Sequence, residues 1–273
     1  MCYFKIYLNL WGNLMHLFDT HAHVGLIHTE QLEQLMAIEY AKRVGVKHIV
    51  SISNSLTDFE KNYQNLKSSK SIYHAVGLSP TETGGFRPHW EDRLIPLAQR
   101  DKVIAIGESG LDYVKMRAPK QTQIEAFLIH LEAARKLDLP IIIHNREAGY
   151  DILNILKTKI PAKGAIFHCY SEDVNFAMEA MELPVYFSFA GNITYRSVKP
   201  LIDTVRMLPL NRILIESESP FMAPSKYSKK RNRPEYIIEN VKAIAYIKSI
   251  PVEEMSEILY ENSLKAFNLE ENE

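Results

Sequence analysis

His21 and His23, Glu108, His144, His168 and the neighbouring Glu216 and Glu218 are the residues of this chain whose types and spacing suggest chemistry. Imidazole nitrogen and carboxylate oxygen are ligands for Zn²⁺, Mn²⁺, Fe²⁺ or Co²⁺, and a carboxylate-weighted set also suits Mg²⁺. His21 and His23 follow a short apolar run, Leu14-Met15-His16-Leu17-Phe18. On a strand, alternate side chains leave the same face with Cα atoms roughly 6–7 Å apart, so the two imidazoles can converge on one cation. Taken singly, each residue reads more simply as a packed histidine or a rim carboxylate. That simpler reading explains poorly why each stands at the end of a different apolar segment.

Those segments are the elements that must position the site. Strand 1 ends in His21-Ala22-His23. Lys47–Ser53 and Ser71–Leu78 read as the next strands, and Lys102–Gly107 as a fourth with Glu108 at its end. Leu139–Ile143 ends at His144, Gly164–Phe167 at His168, and Val185–Phe189 precedes Arg212–Ile215, which ends at Glu216. Amphipathic stretches alternate with them. One is capped by Thr29 with the apolar face Leu32, Leu35, Met36 and Val44, and another follows Pro119 with the face Ile124, Phe127, Leu128 and Leu131. Ser109-Gly110-Leu111-Asp112-Tyr113 reads as a loop between strand 4 and that helix. Eight such units of about 25–35 residues, with continuously apolar strands, predict an α/β fold, a (β/α)₈ TIM barrel. Its metal site would lie at the C-terminal rim of the strands. An open doubly wound sheet is the runner-up, disfavoured because no Gly-x-Gly-x-x-Gly turn opens a helix.

The chain has 273 residues, a net charge of −1 and two cysteines, Cys2 and Cys169. A barrel of this length is commonly one domain, so residues 14–273 are read as a single unit and residues 1–13 as a disordered extension, with Met15 an alternative start. The near-zero charge excludes a global field toward nucleic acid, so any such binding is local. Two cysteines give no disulfide framework, which places the protein in a reducing, cytoplasmic compartment. No uninterrupted apolar run approaches a membrane span, and residues 1–18 lack a signal-peptide cleavage pattern.

Six ordered motifs resemble those of the TatD-type metal-dependent deoxyribonucleases, within the amidohydrolase-like barrel superfamily. They are Phe18-Asp19-Thr20-His21-Ala22-His23, Val76-Gly77-Leu78-Ser79-Pro80, Ile106–Asp112, Leu139–Arg146, His168-Cys169-Tyr170-Ser171 and Ile213–Pro220. Arg231-Asn232-Arg233-Pro234 and the terminal Glu261-Asn262 also match in place, so the likeness spans residues 15–270. The resemblance implies two divalent metal ions, Mg²⁺, Mn²⁺ or Zn²⁺. His21 and His23 would hold one, His144 and His168 the other, and Glu108 would bridge them. Glu218 would be ligand and proton acceptor, so Glu218 and Glu108 are the catalytic pair. Arg146, Ser79 and Arg231 are the implied substrate-binding residues, with Lys226, Lys229, Lys230 and Arg233 adding to a basic loop that reads equally well as a solvated charge run. The implied reaction is phosphodiester hydrolysis, a 3′→5′ exonuclease on single-stranded DNA ends, by a monomer with no membrane association.

Three departures qualify this. Gly25 stands where the family usually has an acid or amide, Ser79 where it has histidine, and Glu218 where it has aspartate. Hydrolysis of another ester or amide, such as a D-aminoacyl-tRNA linkage, and weakly active metal binding are the competing readings. A carbamylated-lysine amidohydrolase is disfavoured because Glu108 occupies the lysine's place.

Overall fold

A computed structural model describes residues 15–85 and 88–270; the expected extension at residues 1–13 lies outside the described residues. The elements are β1 (Leu17–Ala22), α1 (Val24–Ile27), α2 (Gln31–Lys42), β2 (Val46–Ser51), α3 (Leu56–Leu66), β3 (Ile72–Val76), α4 (Glu91–Ala98), β4 (Val103–Asp112) and α5 (Lys120–Leu137). They continue with β5 (Ile141–Arg146), α6 (Gly149–Lys159), β6 (Ala165–Phe167), α7 (Val174–Ala180), β7 (Val185–Phe189), α8 (Lys199–Met207), β8 (Ile213–Ile215), α9 (Ile238–Lys248) and α10 (Val252–Ala266). The eight strands pair in parallel in sequence order. The alternation read from the sequence is thus a (β/α)₈ barrel.

The strands are apolar because both faces are covered. Phe18, Val50, Ala75, Ala105, Ile142, Ile166 and Leu214, contributed by seven strands, join one buried cluster with Tyr260 and Leu264 of α10 and Phe267 just after it. Asn262 ties α10 to the start of β8 by donating to the carbonyls of Leu210 (2.7 Å) and Ile213 (3.0 Å). So α10 plugs the strands' N-terminal end, and the opposite end is left for chemistry. The other faces pack on the surrounding helices.

The closing seam between β8 and β1 is made differently from the other seven. Thr20 Oγ1 donates to the Ile215 carbonyl (2.9 Å), and the Ser217 amide donates to Asp19 Oδ1 (2.8 Å). Past the strand ends, the Glu218 amide donates to the His21 carbonyl (2.9 Å) and the His23 amide to that of Ser219 (2.8 Å).

The structure corrects three local expectations. Ser109–Asp112 is strand, not loop: β4 runs on to Asp112 beside β5. Its glycines are close-approach positions. A Cβ on Gly107 would stand 2.6 Å from the Ile142 carbonyl oxygen, and one on Gly110 2.1 Å from that of His144. Second, α2 buries Gln34, Ala37, Ile38 and Ala41, while Leu32 and Met36 are exposed. Third, Glu30, not Thr29, precedes its first turn. Among the described residues no helix is long and apolar enough to cross a membrane.

Candidate metal centre

His21 lies near the end of β1, and His23 follows it at the entry to α1. Their Nε2 atoms are 3.2 Å apart, so the convergence expected from the alternation occurs. Glu108 reaches the same point from β4, with Oε2 3.2 Å from His21 Nε2 and 3.6 Å from His23 Nε2. Its Oε1 lies 3.5 Å from His144 Nδ1, and His168 Nε2 is 3.3 Å from that same nitrogen. Glu218, in the turn after β8, brings Oε2 to 3.2 Å from His21 Nε2 and 3.8 Å from His23 Nε2. Every residue expected to ligate metal therefore converges on one buried pocket.

Ligand atoms lie within 4.8 Å of one another in His21–His23–Glu108, in Glu108–His144–His168 and in His21–His168–Glu216. The first two triads share Glu108, so one carboxylate serves two groups of imidazoles. Burial holds His23 and His168 down to about 3, and lowers His21 as well, so these rings stay neutral with lone pairs to offer. Burial would raise Glu108, but hydrogen bonds with His144 and His21 outweigh it and keep the carboxyl well below its ordinary value. Glu218 goes the other way: burial, then the charges of Glu216 and Glu108, raise it well above the usual range. Its Oε2 is buried with no hydrogen-bond donor. Neutral nitrogens and crowded carboxylate oxygens aimed at common points are an unbalanced set, and a cation balances it.

Two further carboxylates lie behind the rings. Asp112 Oδ2 lies 3.2 Å from His144 Nε2, which leaves Nδ1 facing Glu108. Burial would lower His144, but Asp112 and then Glu108 lift it to about 9. A cation at Nδ1 competes with that proton, so occupancy there is pH-dependent. Glu216 Oε1 lies 3.4 Å from His168 Nδ1 and accepts the Cys169 amide at 2.8 Å. Glu216 is among the candidate residues named from the sequence, whereas Asp112 lies in a quoted motif that gives it no site role. The signal was a carboxylate at a neighbouring strand end, and nothing in its spacing distinguished ligand from support.

The three residues expected at the substrate side are placed differently from one another. Ser79 is buried, and its hydroxyl donates to Glu108 Oε1 at 2.7 Å, so it orients the shared carboxylate. Arg146 ends β5, exposed at the rim. Arg231 is exposed and donates to the Leu26 carbonyl in α1, just beyond His23. Gly25 also has a local explanation. A Cβ there would fall 2.2–2.4 Å from the Asn62 carboxamide, which donates to Ser53 Oγ. The space of a residue-25 side chain is filled from α3. His130, which no motif marked, supports the same region: the Leu78 amide donates to its Nε2 at 2.9 Å, one residue before Ser79.

Comparison with known proteins agrees with this geometry. A family model described as TatD related DNase matches residues 18–268. The chain is 34% identical over 255 residues to YabD of Bacillus subtilis, named an uncharacterized metal-dependent hydrolase, across 93% of this chain and 99% of that one. It is 30% identical over 259 residues to the similarly named YcfH of Escherichia coli K12, across 94% and 97% of the two chains. The solved structure of YJJV, a TatD homologue of Escherichia coli K12, shares the fold with a TM-score of 0.89 at 23% identity, covering 94% of this chain and all of that one.

Proposed function

The chain belongs to the TatD-related DNase family and is a metal-dependent hydrolase; we propose that its reaction is hydrolysis of DNA phosphodiesters, proceeding 3′→5′ from single-stranded ends. The observation that carries this reading is Glu108, one carboxylate shared by two imidazole groups, with Glu218 facing both from the turn after β8. His21, His23 and Glu108 would hold one divalent cation, and His144, His168 and Glu108 a second. When bound, such a pair lowers the pKa of a water and stabilises both the attacking and the leaving oxygen of an in-line displacement.

The remaining work belongs to the chain's own side chains. Glu218 presents Oε2 to His21 and accepts the proton of the attacking water there. Ser79 holds Glu108 in place and Asp112 holds the ring of His144, while Glu216 stands beside the ring of His168. Arg146 offers a rim guanidinium to the phosphate. Phe221 stands edge-on to the His23 ring, at 5.7 Å between centroids, and shields that side from water.

Hydrolysis of another ester or amide, such as a D-aminoacyl-tRNA linkage, is the second reading. It is favoured by Ser79, whose hydroxyl is engaged with Glu108 and not free for a phosphate. The test is to measure bound metal, then to incubate the loaded protein with end-labelled single-stranded DNA, with and without chelator. Stepwise shortening from the 3′ end, abolished by chelator, is the expected result. A metal-loaded protein that leaves the strand intact rejects the nuclease reading.

A further inference from the structure

The basic loop after β8 divides. Arg231 reaches back to α1, and Arg233 pairs with Glu235 at 3.4 Å and lines a small apolar cavity beside α2. Lys226 and Lys230 face the other way, into two clefts that share Tyr195 as a common wall. The first, of about 490 Å³, begins at Pro220 and Met222, in the turn that carries Glu218, and includes Lys230. The second, of about 710 Å³, continues between α8 and α9 and is lined by Arg196, Arg206, Lys226 and Lys242, with Glu239 its one acidic side chain.

Glu239 is shared by Lys226 and Lys242, at 3.0 Å from each, and Arg206 is answered by Asp203 at 2.6 Å. Arg196 and Lys230 have no carboxylate partner among the described residues. The result is a local positive surplus on a chain whose net charge is −1. The surplus is continuous with the catalytic rim and is interleaved with aromatic rings. Tyr195 lies at the junction, and Tyr246 on α9 is 87% exposed. A surface tyrosine exposed to that degree makes no contribution to the core, but its ring is open to a planar partner. A charged groove that tracks a backbone, with rings on which bases stack, is how single-stranded nucleic acid is held without sequence preference.

We propose that the paired clefts between the Glu218 turn and the α8–α9 groove bind the single-stranded DNA that extends away from the scissile phosphodiester. This rests on the nuclease reading for its substrate class, and it assigns a path that the metal centre alone does not define. The 11 residues of α9 span about 16 Å, enough to accompany a few nucleotides. The strand would leave the rim past Lys230 and Tyr195, then follow Arg196, Lys226 and Lys242.

The experiment is a salt series of fluorescence anisotropy with a labelled single-stranded oligodeoxynucleotide. Chelator is present throughout, so binding is read without turnover. Arg196→Gln combined with Lys230→Gln removes two exposed cations without touching the core. The slope of log affinity against log salt should fall by about 1.4, at about 0.7 per cation on a single strand, with roughly tenfold weaker binding at low salt. Lys159→Gln, at the end of α6 and outside both clefts, should change neither quantity. Equal slopes for the wild type and the double variant overturn the proposal. So does an equal hold on polyglutamate, which would make the surface a general polyanion patch. Hydrolysis is scored separately in metal-loaded protein. If the wild type cleaves DNA and the double variant keeps the full slope, the cleft assignment fails and the nuclease reading stands. If the slope difference is present and no strand is cut, the nuclease reading fails and the cleft stands as a binding site.

Discussion

His130 gives a prediction that can be worked from single hydrogen bonds. The ring is fully buried on α5, accepts the Leu78 amide at Nε2 (2.9 Å) and donates from Nδ1 to the Ala126 carbonyl (2.7 Å). Both nitrogens are satisfied in the neutral ring alone. A second proton would sit on Nε2, facing the Leu78 N–H, and would break the bond that anchors the strand end carrying Ser79. Burial accordingly lowers His130 from 6.5 to about 4. Because the folded value lies below the unfolded one, protonation favours the unfolded chain. The stabilisation is complete above about pH 6.5 and is lost as pH falls toward 4. At 1.36 kcal/mol per unit the loss over that window is about 3 kcal/mol.

His130→Gln keeps an acceptor for Leu78 but cannot titrate. At pH 7 the variant should be less stable by about 1–2 kcal/mol, the scale of an imperfect buried hydrogen bond. Between pH 6.5 and 4 the wild type should lose stability faster, by up to one proton's slope, so the gap closes and then reverses. Urea unfolding of both proteins across this range, in chelator, reads the difference directly, and titrations common to both cancel. Parallel curves would refute the assigned tautomer and the burial argument together.

Other outcomes follow from the site. Glu218→Gln should retain bound metal, measured by elemental analysis, and lose about 10²–10⁴-fold in turnover, the usual contribution of a positioned base. Asp112→Asn removes the carboxylate that faces His144 Nε2 and should weaken metal binding by about 10–100-fold in a chelator competition. Gly25→Asp should destabilise the protein by roughly 1–3 kcal/mol, because its side chain meets the Asn62 carboxamide at 2.2 Å. The same substitution should cost less in an Asn62→Ala background than in the wild type, read in thermal unfolding; equal costs would show that the two side chains do not compete for the space.

The barrel and the cluster of imidazoles and carboxylates at its rim were readable because both are periodic. An apolar strand covered on two faces leaves a continuous hydrophobic run, and a histidine or carboxylate at its end interrupts that run with a polar residue. What hid was whatever lacked such contrast. Gly107 and Gly110 look like loop punctuation, yet they let the β5 backbone approach within the reach of a Cβ, so β4 continues past Glu108. Leu32 and Met36 look like the inner face of α2, but its core contacts run through Gln34, Ala37, Ile38 and Ala41. Gln34 belongs there because its amide donates to the His28 carbonyl and its oxygen accepts from Asn65. A polar residue with both ends satisfied is invisible to a pattern of hydrophobicity. Asn62 and His130 were missed for the same reason: each acts on a residue far away in sequence, which no local spacing records.

Asp19 stands at the barrel seam. It is wholly buried, its carboxyl raised to about 7 by burial, and its Oδ2 has no hydrogen-bond partner. For stability alone, an apolar side chain there would do as well or better. Its other oxygen accepts the amides of Ser217 (2.8 Å) and His21 (3.3 Å), which belong to the two segments that must meet to close the barrel. Thr20 adds a second tie, to Ile215 and to Ser188. A one-residue slip of β8 against β1 would turn Glu218 away from His21 and reverse every side chain on the β8 side of the pocket. Hydrophobic burial cannot prevent such a slip by itself, since β8 is the uniformly apolar run Ile213-Leu214-Ile215 and each of its residues would be buried in either register. A directional, buried carboxylate can. The cost of burying Asp19 is therefore best understood as the cost of fixing register, and the feature it fixes is the 3.2 Å approach of Glu218 to His21.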